Sequence, residues 1–332
     1  MLPRLFRPPV FQGSIRRRRY FEGWYLKHVA PAGDRIISFI PGISLYPGDR
    51  HAFVQYIDSG GGRSGYVRYP LEEFEWDRRR FDVQVGPNRF SAQGLELHLS
   101  DEKAEWSGRL TYTEAVPFPS RLFAPGIMGW YSFVPFMECN HGVVSLSHRV
   151  EGSLRAGGEE LELTGGSGYI EKDWGSSFPE AWLWLQCNSF TVPDASLMVS
   201  VANIPWLGRH FVGFLAFFHL QGRLYLYTSY NGSSISAFSA SSGEAGLQLS
   251  GPHGALAVQA RRDASAALEA PALGKMSRTI RESVNAEIDV TAADHRGRRL
   301  FRGRGWGAGM EVEGDINGLA AAAGYASRPS TG

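Results

Sequence analysis

Glu171-Lys172-Asp173 sets two carboxyl groups two residues apart, with Tyr169 and Ile170 before them and Trp174 after. On a strand, residues two apart share a face, so Glu171 and Asp173 can act together with Lys172 between them. Two readings are open. In one, the triplet is a solvated turn and Lys172 forms surface pairs with the acids. In the other, the flanking aromatic residues argue against full exposure. A fully buried carboxyl has its pKa raised by up to about 3 to 5 units and becomes a proton donor near neutral pH. Glu22, between Phe21 and Trp24, admits the same two readings.

Further along, Trp182, Trp184, Gln186 and Asn188 alternate with Leu183, Leu185 and Cys187. One reading is a strand buried between two layers, its amides satisfied by neighbours. The other is an aromatic-lined pocket in which the amides orient a ligand with one polar end. Met137-Glu-Cys-Asn-His-Gly142 places Asn140 beside His141, with Glu138 close by. A lone histidine in an apolar strand is more often a hydrogen-bonded core residue than a ligand, and His148 faces the opposite way, so no metal site is expected. The glycines from Gly303 to Gly309 follow a hairpin and precede the alternating Met310-Glu-Val-Glu313, which makes them bulge and turn residues rather than a dinucleotide loop. Neither a P-loop nor a Gly-x-Ser-x-Gly elbow is present, and no cofactor is expected.

The elements that must hold these residues read as strands. Phe81 to Val85, Arg89 to Ala92 and Leu95 to Leu99 alternate polar with apolar residues around Gly86-Pro87-Asn88, the pattern of an antiparallel meander. Gln221-Gly222 joins Phe211–Leu220 to Arg223–Tyr230 as a tight hairpin, and His295-Arg296-Gly297 joins Ala286–Val290 to Arg299–Arg302. Ser265 to Leu268 is the one place where a brief helix is expected. With 13% aromatic residues and 40 glycines, the composition also favours pleated strands and turns over helices.

At 332 residues the chain exceeds one ordinary core, so two β units are expected. The expected division is a basic lead-in over 1–19, a first β unit over 20–164, a second over 165–319, and a disordered tail over 320–332. Tyr20-Phe-Glu-Gly-Trp-Tyr25 and Tyr169-Ile-Glu-Lys-Asp-Trp174 would then open the two units and bring their acids near a shared cavity. Lys plus Arg (34) nearly equals Asp plus Glu (33), which argues against nucleic acid as a partner. Cys139 and Cys187 form no metal-binding or disulfide pattern, and no secretory signal is visible, so a cytoplasmic location is expected. The run Arg16 to Arg19 leaves room for peripheral contact with a membrane, although a solvated charge run explains it as well.

Four blocks together resemble the tocopherol cyclase family: Tyr20-Phe-Glu-Gly-Trp-Tyr-Leu-Lys27, Tyr69-Pro-Leu-Glu-Glu-Phe-Glu-Trp-Asp77, Met137 to Gly142, and Gly168 to Pro179. Glu22-Gly-Trp24-Tyr25 is also similar to a signature of the wider group that includes carotenoid hydratases. The resemblance implies an all-β fold of two lipocalin-like antiparallel barrels around a hydrophobic pocket. It also implies closure of a prenylated hydroquinone to a chromanol, in which an acid protonates the prenyl double bond and the phenol oxygen captures the cation. Asp173 would be that acid, with Glu22 or Glu171 as substitutes; raising its pKa from about 3.9 to about 7 costs roughly 4 kcal/mol, which burial can supply. Trp24, Trp174, Trp182 and Trp184 would face the cation, each ring contributing roughly 2 kcal/mol. Tyr25 would line the site, while His141, Asn140, Gln186 and Asn188 would hold the quinol head and take its proton. Two alternatives use the same pocket: an isoprenoid carrier that catalyses nothing, and a hydratase in which water captures the cation.

Overall fold

The computed structural model of the chain describes residues 2–206, 209–262 and 264–324. The described residues are nearly all β and form two compact units. The first comprises residues 1–178 and 266–280, and the second residues 179–265 and 281–332.

The first unit contains β1 (Phe21–Val29), β2 (Ile36–Tyr46), β3 (Asp49–Asp58), β4 (Arg63–Tyr69), β5 (Phe74–Trp76), β6 (Asp82–Val85), β7 (Asn88–Ser91), β8 (Gly94–Ser100), β9 (Glu105–Pro117), β10 (Cys139–Ala156), β11 (Glu159–Glu162) and β12 (Gly166–Gly175). They form one antiparallel sheet in the order β4-β3-β2-β1-β12-β10-β9-β8-β7-β6-β5, with β11 beside β10, curled into a nearly closed barrel. Its interior holds Trp24, Leu26, Phe39, Ile43, Trp106, Leu110 and Ile170. β12 runs between β1 and β10, so the two sequence blocks that echo one another pair within one sheet, Glu22 opposite Trp174 and Tyr25 opposite Glu171. They do not open separate units: the expected break at 164/165 falls just before β12, whereas the chain passes to the second unit at 178/179. The physical reason is pairing, since β12 satisfies its backbone groups on both sides within the first sheet.

The second unit is built on β13 (Trp182–Cys187), β14 (Ala195–Trp206), β15 (Arg209–Leu220), β16 (Arg223–Thr228), β17 (Ser234–Ala240), β18 (Glu244–Gly251) and β19 (Gly254–Arg261). After β20 (Ala266–Ala272) come β21 (Lys275–Ala293), β22 (Arg299–Glu313) and a helix, α2 (Ile316–Ala322), the first helix, α1 (Leu2–Leu5), having preceded β1. The sheet order is β16-β15-β14-β13-β22-β21-β19-β18-β17, and the core holds Leu183, Leu185, Cys187, Val199, Phe218, Leu247 and Met310. Both expected hairpins are present, β15–β16 and β21–β22. Gln221 and Gly222 both have positive φ (48° and 79°), the geometry that matches the twist of a two-residue hairpin link.

Two further expectations differ from the structure. Ser265 to Leu268 forms no helix, because β20 starts at Ala266 and its hairpin with β21 enters the first unit, where Gln55 and the backbone of Glu269 exchange hydrogen bonds of 2.9 and 2.8 Å. The tail is not irregular from 320 onward: α2 is capped by Asp315, whose side chain accepts from the Gly318 amide, and it buries Ile316, Leu319 and Ala320. The rest of that expectation, from 325 on, lies outside the described residues.

Two histidines sit neutral in the first barrel. His28 Nε2 lies 2.6 Å from the Tyr112 hydroxyl, and the His148 ring packs 4.2 Å from the Tyr112 ring. Burial holds His28 down to about 4; burial, and then the charge on His28, holds His148 down to about 3. The unfolded chain takes up these protons near pH 6.5 and the folded chain only far below, so their contribution is complete above about pH 6.5 and is lost on acidification. The urea midpoint should therefore fall steadily from pH 7 to pH 4, and His148→Gln should flatten that limb.

Candidate functional site

Pleating divides the middle of the first sheet into two faces. Lys172 and Trp174 on β12 share a face with Trp24 and Glu22 on β1, looking into the barrel core. Glu171 and Asp173 share the other face with Tyr25 on β1 and His141 on β10, which stands opposite Asp173. The acids Glu22 and Asp173 therefore lie on opposite sides of one sheet and cannot share a cavity.

The outward face carries the cluster with the clearest chemistry. His141 Nδ1 lies 2.9 Å from Asp173 Oδ1, and Nε2 lies 3.5 Å from Glu171 Oε2 without a hydrogen-bond partner among the described residues. Tyr169 donates to Glu171 Oε2 at 2.7 Å. Burial alone would lower the pKa of His141, but the charges of Asp173 and Glu171 and the hydrogen bond to Asp173 outweigh it and raise it to about 9. The ligand atoms of His141, Glu171 and Asp173 lie within 4.8 Å of one another, close enough to share a cation. At neutral pH the imidazolium itself supplies that positive charge. Asp173 is the most open of the three, its side chain 26% exposed against 13% for His141 and 6% for Glu171. The His141 amide donates to Met128 Sδ at 3.1 Å.

The inward face has a different task. Glu22 accepts from the amides of Gln12 and Gly13 at 2.8 and 2.9 Å and from the Tyr20 hydroxyl at 2.5 Å, and it pairs with Lys172 at 2.6 Å. Lys172 also donates to the Pro8 carbonyl at 2.9 Å, and Trp24 Nε1 donates to the Pro9 carbonyl at 2.8 Å. Both charged side chains are fully buried. With four donors on its two oxygens, Glu22 is a clasp for residues 8–13 rather than a group that can reach a ligand. The Lys172 ammonium sits 4.9 Å from the centre of Trp24 and 4.7 Å from that of Trp174, so these rings already face a cation belonging to the chain. Burial lowers the Lys172 pKa to about 8 despite the opposing effect of Glu22. Asn140 lies on the same face as Trp174 and donates to its carbonyl at 3.3 Å.

Trp182, Trp184, Gln186 and Asn188 belong to the second unit. On β13 the first three point away from the core that Leu183, Leu185 and Cys187 enter, and all are buried. Trp182 Nε1 donates to Glu311 Oε2 at 2.6 Å, Gln186 donates to Asn188 at 3.3 Å, and Glu282 is paired in register with Glu311. The ring-and-amide strand thus carries two further acids that its own sequence does not announce, because they arrive on β21 and β22. Sequence reasoning also missed Lys172 and Tyr20 as partners of Glu22, and Tyr169 as the donor to Glu171. The period-two alternation that set Glu171 with Asp173 was the available signal for Lys172.

Residues 74–314 match the model of a family described as tocopherol cyclase-like. The chain is similar to the chloroplastic tocopherol cyclase of Zea mays, 31% identical over 111 residues, which are 32% of this chain and 23% of the plant protein. The match thus spans less than a quarter of that relative's length. Among solved structures, the chain is similar to CghA, with a TM-score of 0.58 and 11% identity over 89% of this chain and 88% of the other. It is also similar to kievitone hydratase from Nectria haematococca, with a TM-score of 0.50 and 13% identity over 92% and 94%. At these identities the likeness concerns the fold, which is lipocalin-like.

Removing one member of a buried ion pair strands the other. Glu22→Ala should lower stability by about 3 to 5 kcal/mol in urea denaturation, whereas Glu22→Leu combined with Lys172→Met should recover most of that loss. Equal losses in the single and double variants would contradict the clasp.

Proposed function

This chain belongs to the tocopherol cyclase-like family, and from that premise we propose that it closes a prenylated hydroquinone, or a similar isoprenoid, to a chromanol ring. The observation that supports this reading is the His141–Asp173–Glu171 cluster, in which one carboxyl is open to a ligand and an imidazolium stands behind it. In the reactive form the proton that His141 Nδ1 and Asp173 share along their 2.9 Å hydrogen bond sits on Asp173, which transfers it to the less substituted carbon of a trisubstituted alkene. A tertiary carbocation forms, the phenol oxygen bonds to it, and the phenolic proton returns to the His141–Asp173 pair. Substrate and product have the same atoms, so the step is an isomerisation without redox change.

The neighbours have separate work. His141, charged in the resting pair, supplies the proton that Asp173 delivers and is the site to which the phenolic proton returns. Glu171, oriented by Tyr169, keeps His141 in place and charged. Tyr25, opposite Glu171 on the same face, flanks the quinol head. Glu22 takes no part in the step.

Asp173→Asn should reduce turnover by about 10²- to 10⁴-fold while leaving the fold intact. The rate should fall as pH rises through about 9, where His141 loses its proton. The decisive assay incubates the pure protein anaerobically with prenylhydroquinones in deuterated water enriched in heavy oxygen. A chromanol carrying deuterium but no heavy oxygen is expected. Heavy oxygen in the product would make the protein a hydratase. Unchanged ligand across several substrates, with binding indifferent to Asp173→Asn, would make it a carrier.

A further inference from the structure

The segment between β9 and β10 has no counterpart in the proposed chemistry, and its composition is unusual for a surface loop. From Phe118 to Met137 the only charged side chain is Arg121. Within it, Leu122 is 68% exposed, Phe123 79%, Trp130 49%, Phe133 43% and Phe136 80%. Single exposed apolar residues are ordinary, but five large ones on one loop call for a partner. The display is held open by structure. Arg121 and Ala124 exchange backbone hydrogen bonds of 2.9 and 3.1 Å, so Leu122 and Phe123 occupy the tip of a tight hairpin. Trp130 stacks on Tyr131 with ring centres 4.3 Å apart, and Phe133 meets Phe6 edge-on at 6.2 Å.

Arginine side chains lie beside the same loop. A groove of about 370 Å³ runs beside it, lined by Phe6, Pro8, Phe118 and Pro125 together with Arg7, Arg79 and Arg80. Arg80 is paired with Asp77 and Asp82. Arg7, Arg79 and Arg121 have no ion pair among the described residues, and all three are exposed. Among the described residues no helix is long and apolar enough to cross a membrane. Exposed aromatic side chains together with arginines that have no ion pair among the described residues fit the boundary between lipid headgroups and acyl chains, where rings insert and guanidinium groups meet phosphates.

We propose that the loop from Phe118 to Phe136, with Arg7, Arg79 and Arg121 around it, docks the protein on an anionic lipid bilayer, Leu122, Phe123, Trp130 and Phe136 entering the headgroup region. Met128, in the same loop, contacts the amide of His141, so docking would bring the candidate site to the surface from which a membrane-borne isoprenoid must be drawn. The docking itself does not rest on the proposed reaction and is measured without turnover.

Flotation of the full chain with phosphatidylcholine vesicles, with and without phosphatidylglycerol, tests this. Binding is expected to the anionic vesicles, to weaken on raising salt to 0.5 M, and to be poor on pure phosphatidylcholine. Phe123→Ser with Phe136→Ser should lower partitioning about tenfold or more, and Arg7→Gln with Arg79→Gln and Arg121→Gln should remove mainly the anionic preference. The four aromatic and aliphatic residues project into solvent, so circular dichroism should be unchanged in the aromatic variant. Absence of binding to either vesicle would overturn the proposal. So would equal binding to both, or a self-association of the native chain that the aromatic variant abolishes without any vesicle binding.

Discussion

The strand from Gly166 to Gly175 is constrained by a single fact of geometry: consecutive side chains leave a pleated strand on opposite sides. Because β12 is paired on both edges, its register is fixed from both sides. One face sends Ile170, Lys172 and Trp174 into a barrel core, and the other presents Tyr169, Glu171 and Asp173. A slip of one residue in register would bury Asp173 in the core and bring Lys172 to His141. The chemistry proposed for this protein and the anchoring of its first residues therefore depend on the same register.

A lysine at the centre of an aromatic core is expensive unless it is fully satisfied. Here it is satisfied by a carboxylate, by carbonyls of the chain near Pro8, and by two indole faces. That network replaces what water would supply and ties residues 8–13 to the barrel. It also has a positional consequence. The tethered segment packs beside the β9–β10 loop, through Phe6 on Phe133 and Ser120 on the Phe6 carbonyl. The loop that displays exposed rings thus rests on a segment whose position is set by a buried ion pair on the far face from Asp173.

The outward cluster follows a different electrostatic logic. Two acids on one face of a sheet repel when both are ionised, and a histidine between them relieves that repulsion by holding a proton well above its usual range. The arrangement concentrates exchangeable protons at one partly open point. It needs no residue from the core face, which explains how Trp24 and Trp174 could be committed to Lys172 without cost to it.

Much of this protein was determined by sequence alone. Alternation and tight turns specify antiparallel strands, because side-chain period and Gly conformational freedom are local properties; the hairpins at Gln221-Gly222 and before Arg299 follow directly. The Glu171–Asp173 pair on one face was legible for the same reason. Tertiary structure decided what lies beside each strand. Nothing local tells β12 to pair with β1, so the echoing blocks at Tyr20 and Tyr169 read as the starts of two units when they are neighbours in one. Nor could spacing show that Glu22 meets Lys172 from the opposite face, that His141 falls between Glu171 and Asp173, or that Glu282 and Glu311 join the Trp182 strand. Those meetings join residues far apart in the chain, and burial of a shared core, not local preference, selects them.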